Sequence, residues 1–216
     1  MRNGILLVVF SFFIFSSFSQ PPRDRDERTF KGLFTVGLNL AQIDGDGPAG
    51  YGYFGAHVGA GTMFYAHRNI GFSLEMLYNM KGSIERRKKD INPQTAFTSA
   101  MDYLQVPIML NIDDRQNVLF SIGIAPGILV RNSLKFEEYD SGGNLISFEA
   151  PDCLTNEPNT FDLSAVVGLQ FVLKERYAIG GRFSYSINEL RGPCEGMTRA
   201  SAMRHNVITF RFTYIL

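Results

Sequence analysis

One pattern recurs eight times along this chain of 216 residues and leaves few folds open to it: apolar side chains at every second position, with small or polar ones between. Phe34, Val36, Leu38 and Leu40 alternate with Thr35, Gly37 and Asn39. The same rhythm returns over 54–64, 70–79, 103–111, 118–128, 161–171, 177–188 and 208–216. A period of two puts one set of side chains on each face of a strand, so each segment has an apolar and a polar face. An even count of such strands predicts an all-β chain: an eight-stranded antiparallel up-and-down barrel that is transmembrane. Within the fourth segment, Leu104, Val106, Ile108 and Leu110 oppose Tyr103, Gln105, Pro107, Met109 and Asn111. Pro107 has no N–H for a ladder, which predicts a bulge or a local break there.

The connections add a second signal. Short polar turns are expected at 66–69, 113–116 and 174–176, and long loops at about 41–52, 82–100, 131–159 and 189–205. Tight turns at one end and long loops at the other are the arrangement of outer-membrane barrels. A soluble barrel would also alternate, but its outer face would need many Lys and Glu side chains. Here the polar register is mostly Gly, Ser, Thr, Asn and Gln, which suits the crowded interior of a small barrel. The apolar register is therefore expected to face lipid, with a soluble lipocalin-like periplasmic ligand binder as the competing reading. Phe54, Phe64, Tyr65, Tyr177 and Tyr185 lie near strand ends and are candidates for interfacial girdles.

Four charged residues fall in the polar register at mid-strand: Glu75, Asp162, Arg182 and Arg211. Both signs are present, so pairing can offset the desolvation cost that each would carry alone. With Gln105 on the same face, they are expected to form a polar network that plugs the lumen. A gated pathway or a ligand site is the functional alternative. His57 shares the register and reads as a hydrogen-bonded filler rather than a metal ligand.

At the N-terminus, Arg2 precedes the apolar run Ile5 to Phe15, and Ser16-Ser17-Phe18-Ser19-Gln20 offers small residues for cleavage. Residues 1–19 read as a secretory signal peptide, removed after Ser19. Residues 20–30 form a charged leader, and 31–216 the barrel domain. Loss of residues 1–19 deletes Arg2 and no acid, leaving 20 basic against 21 acidic side chains. That balance argues against a nucleic-acid partner. The expected location is the bacterial outer membrane, with outer-membrane lipid as the constant partner.

Cys153 and Cys194 both fall in long loops, and an exported chain with two such cysteines is expected to pair them in a disulfide. The run Glu85-Arg86-Arg87-Lys88-Lys89-Asp90 reads as a solvated charge cluster, and Asp44-Gly45-Asp46-Gly47 as a turn without the further acids of a calcium loop. The chain carries no Gly-x-Ser-x-Gly, no phosphate loop, no His-Glu-x-x-His and no zinc-type cysteine spacing. No catalytic residue, metal or cofactor is expected. Ser201 with His205 is the one pair that could be imagined at a barrel rim, and it has no visible base-orienting partner.

Tyr103-Leu104-Gln105-Val106-Pro107-Ile108-Met109-Leu110-Asn111 resembles the Tyr-Leu-Glu-Ile-Pro-Leu-Leu-Leu-Lys signature of the PorT-type outer-membrane β-barrel family of Bacteroidota. Gly37-Leu38-Asn39-Leu40 and Gly123-Ile124-Ala125-Pro126-Gly127 also look like that family. Gln105 stands where Glu is usual and Asn111 where Lys is common. The resemblance implies an outer-membrane barrel of about eight strands, some of whose relatives take part in protein secretion and gliding. The function expected on that basis is a non-enzymatic envelope scaffold, or a component associated with secretion or gliding machinery, with other envelope or secretion proteins as partners. A narrow small-solute pore is the alternative.

Overall fold

The computed structural model describes residues 30–45, 50–67, 69–85, 94–114, 117–139, 145–146, 157–192 and 202–216. Its strands are β1 (Phe30–Asp44), β2 (Tyr53–His67), β3 (Ile70–Glu85), β4 (Gln94–Gln105), β5 (Ile108–Asp113), β6 (Val118–Tyr139), β7 (Leu145–Ile146), β8 (Phe161–Leu173), β9 (Tyr177–Ser186) and β10 (Arg204–Ile215). β3 pairs antiparallel with β2 and with both β4 and β5, β6 with β4, β5 and β8, and β9 with β8 and β10, while β1 pairs with β2 and returns to pair with β10 from Leu33↔Ile215 to Asp44↔Arg204, which closes the barrel. The staves number eight, because β4 and β5 together form the fourth and β7 only pairs with the far end of β6.

Pro107 divides the fourth stave. β4 stops at Gln105 and β5 resumes at Ile108. The gap is spanned by two bonds: Val106 N–H donates to the Pro126 carbonyl (2.8 Å) and Glu75 N–H to the Pro107 carbonyl (3.1 Å). The proline thus costs one donor without opening the wall.

The faces follow the period. Phe54 (67% exposed), Met76 (59%) and Phe210 (59%) point outward, while Asn39 and Asp162 are fully enclosed. A belt of Phe, Ile, Leu and Val on the outside is what lipid requires, since apolar surface of this extent is unfavourable in water. The lipocalin-like alternative fails here, because it needs its apolar register inside. Tyr65 also departs from expectation. It lies in the inward register, packs on an apolar cluster in the lumen and donates to Asp113 (3.1 Å), so it is no part of a lipid-facing girdle.

The strands outrun the sequence reading at the long-loop end. Expected loops over 82–100 and 131–159 are partly sheet: Glu85 pairs with Phe97 across β3 and β4, and β6 continues to Tyr139. Alternation ceases to be required where the wall leaves the bilayer, but backbone pairing persists because the ladder's hydrogen bonds still need partners. The signal peptide, the leader up to residue 29, Arg86 to Asp90, Asp46, Gly47, Cys153, Cys194 and Ser201 lie outside the described residues.

Candidate functional site

The lumen is layered along the barrel axis. At the short-turn end Leu33, Met63, Leu119, Ala178 and Ile215 form a buried apolar cluster, with Tyr65 and Val172 packed on it. At the long-loop end Ile43, Met101, Tyr103, Leu190 and Met203 form another, joined by Leu129 and Leu134. Leu190 reaches this cap from the β9–β10 connection, which is pinned by Leu190 N–H to the Met203 carbonyl (2.9 Å) and Met203 N–H to the Arg191 carbonyl (3.1 Å). Polar side chains, interrupted by a small apolar cluster of Met109, Ala125 and Val166, fill the space between the two caps.

Nearest the short turns, Glu75 on β3 holds Arg182 of β9 and Arg211 of β10, at 2.8 and 2.9 Å. Arg211 also donates to Thr35 (2.8 Å), and Gln170 donates to Thr213 (3.2 Å). Farther up, Lys81 pairs with Asp162 at 2.8 Å, and the same carboxylate accepts from Ser186 (2.6 Å) and Ser164 (3.0 Å). A run of amides joins the upper group to its neighbours. Gln105 Nε2 donates to Asp162 (3.3 Å), so Gln105 Oε1 accepts from Asn79 Nδ2 (2.6 Å). That leaves Asn79 Oδ1 as the acceptor for His57 Nδ1 at 2.6 Å. Each orientation in the run is therefore fixed by the carboxylate at its head, and His57 carries its proton on Nδ1.

Room for these long side chains comes from glycines directly across the ladder. Gly61 faces Glu75, Gly168 faces Arg182, Gly127 faces Asp162, and Gly37 and Gly180 flank Arg211. At Gly37 an added Cβ would come within 2.4 Å of the Phe210 carbonyl oxygen and 3.2 Å of the Arg211 Cβ, so no side chain fits there without moving the wall. In a small barrel an empty position across the ladder leaves room for a large interior charge.

Two small voids in the lumen each have room for about one water. One is bordered by His57, Lys81, Gln105 and Arg182, the other by Ser73, Glu75 and Arg211. Among the described residues His57 Nε2 and Arg211 Nε have no protein partner, and each borders one of these voids.

All five residues singled out in the polar register, Glu75, Gln105, Asp162, Arg182 and Arg211, are buried and point into the lumen. They divide into two groups rather than one: Glu75 with the arginines, and Gln105 with Asp162. Gln105, the departure from the PorT-type signature, now has a local reason. A carboxylate at that position would stand beside Asp162, whose one ion pair among the described residues is with Lys81. Lys81 escaped the sequence reading, although continuing the odd-numbered register of β3 by one step would have included it; Asn39 and Asn79 fell in the polar register without being singled out for the network. His205 is fully buried and edge-on to Tyr103 (5.3 Å between ring centres), which removes it from any rim site. No group of three metal-ligating side chains occurs among the described residues.

Residues 18–191 match the family model described as "Outer membrane protein beta-barrel domain". No curated protein sequence matches the chain. Among solved structures it is similar to the attachment invasion locus protein Ail of Yersinia pestis, solved with the heparin analogue sucrose octasulfate: 11% identity, 87% of this chain and 99% of that one, TM-score 0.47. CarO of Acinetobacter baumannii is similar at 9% identity over 84% of this chain and 97% of that one, TM-score 0.45. Neisserial surface protein A is similar at 10% over 88% and 99%, TM-score 0.41. The closure of the barrel rests on its own strand pairing, independently of these likenesses.

Proposed function

This chain belongs to the outer membrane protein β-barrel domain family and resides in the outer membrane, and from that premise we propose that it is a non-enzymatic envelope scaffold of PorT type with a plugged lumen. Its working surfaces are then its outside and its long-loop end, where sheet continues past the lipid belt. Contacts with secretion or gliding components would be made there.

The observation that carries the reading is the closure of the lumen at both ends. Apolar clusters cap the interior, and the charges between them are engaged with one another. Charged side chains engaged with one another have little left to offer a passing solute, and neither void exceeds one water. Planar-bilayer recording tests this directly. The purified protein should insert without a stable conductance, and a large, persistent one would replace the scaffold by the pore reading. In-cell crosslinking from the long-loop end should recover an envelope protein. Crosslinks confined to lipid would remove the scaffold role while leaving the barrel intact.

A further inference from the structure

Asp102 breaks the rule that the outward register is apolar. It lies opposite Met80 on β3 and Arg131 on β6, one outward step beyond Leu104, which faces Tyr78 and Ile128. Although it faces outward, its carboxylate is fully enclosed. The Tyr78 hydroxyl donates to Oδ2 at 2.5 Å, and Arg131 Nε lies 2.6 Å from the same oxygen. The ladder shifts register between Asp102 and Tyr103, so that Arg131 and Leu129 are the paired residues while Val130 is left over. A bulge of this kind re-aims the side chains beside it.

The level of this cluster on the barrel is set by its neighbours. On the belt side, Leu104 (41% exposed), Ile128 (57%) and Val130 (54%) are apolar and open to lipid. On the other side the outward positions of β6 become Ser133 and Lys135. Arg131 therefore stands at the boundary between hydrocarbon and headgroups, at the long-loop end and so in the outer leaflet. Its side chain is 55% exposed. Nε is committed to Asp102, and Nη1 and Nη2 make no hydrogen bond to the described residues, which leaves the Nη1–Nη2 edge of this exposed side chain to solvent or headgroups. That free edge is a two-pronged donor matched to a phosphate.

We propose that Arg131, oriented by Asp102 and Tyr78, binds the phosphate of an outer-leaflet lipid headgroup. Asp102 is the positioning residue: buried on the inner edge of the guanidinium, it fixes the fork without meeting the ligand. The acyl chains of the same lipid lie along Leu104, Ile128 and Val130, so headgroup and chains are held by one continuous surface. That continuity favours a lipid over a free phosphate ion.

The test is native mass spectrometry of protein exchanged from phosphatidylcholine bilayers containing diphosphoryl lipid A, with folding of each variant checked by heat-modifiable migration. Wild type should retain lipid A. Arg131→Gln should retain it roughly tenfold less, the loss expected for one charge-assisted contact. Asp102→Asn keeps the cation but loosens its aim, and should give a smaller loss. Lys174→Gln, an exposed cation in the short turn at the opposite end, should change nothing. Retention by Arg131→Gln equal to wild type would overturn the proposal, as would an equal loss in Lys174→Gln or complete displacement of lipid A by inorganic phosphate. Should Arg131→Gln not fold, Arg131→Lys carries the test: it keeps the charge but lacks the fork, and undiminished retention would refute the site.

Discussion

Replacing Glu75 by Gln probes the interior where its electrostatics are least forgiving. Glu75 is 4% exposed and accepts from both guanidiniums, from Arg182 at 2.8 and 3.5 Å and from Arg211 at 2.9 and 3.4 Å. The three residues together carry one positive charge. In E75Q they carry two, inside a wall that excludes water at both ends. Breaking a buried pair costs about 3–5 kcal/mol because a charge is left uncompensated, and here one carboxylate serves two cations, which places the loss at the upper end. Arg211→Met removes the same contact from the other side but leaves Glu75 and Arg182 as a neutral pair. Its cost should be about 1–3 kcal/mol, from the lost bonds to Glu75 and Thr35. Equilibrium unfolding in urea, followed by the fraction of protein with folded migration on an unheated gel, gives both values. E75Q should be the more damaging by about 2 kcal/mol. The opposite order, or an E75Q loss below about 1 kcal/mol, would mean that water reaches the arginines and that the caps do not seal.

Other outcomes follow from the same interior. Gly37→Val forces a side chain against the Phe210 carbonyl, and should lower stability by about 1–3 kcal/mol and reduce the assembled fraction in refolding into bilayers. Tyr103→Ala empties the centre of the long-loop cap, where Tyr103 is fully buried, and should cost about 3–5 kcal/mol by urea unfolding, with a smaller loss showing that the cap collapses to fill the space. Cys153 and Cys194 should resist alkylation in unreduced, denatured protein, and two alkylatable thiols would exclude the disulfide.

The face of every stave was readable from the chain, because lipid on one side and a narrow lumen on the other impose the same period on all of them. Parity alone brought Glu75, Asp162, Arg182 and Arg211 to the interior. It could not say that Glu75 meets residues more than a hundred positions away, since that depends on the stagger with which the sheet closes, and no local pattern records the stagger. Lys81 was missed because the apolar half of the alternation fades near the end of β3 while the inward half continues. Asp102 was unreadable for a different reason: an acid in the lipid-facing register contradicts the rule that made the rest legible, and only its enclosure by Tyr78 and Arg131 reconciles it with that position.

The glycines across the ladder from Glu75, Asp162, Arg182 and Arg211 have a consequence for how such a chain can diverge. An interior charge cannot be moved to a neighbouring stave by one substitution, because the new side chain would meet an occupied position and the old one would leave a hollow beside an idle glycine. Rewiring the interior requires two coupled changes, while the outer face needs only one apolar residue exchanged for another. Drift should therefore run quickly over the outside of this barrel and in matched pairs within it, so that alignments of its relatives would show glycine and charge trading places across adjacent strands.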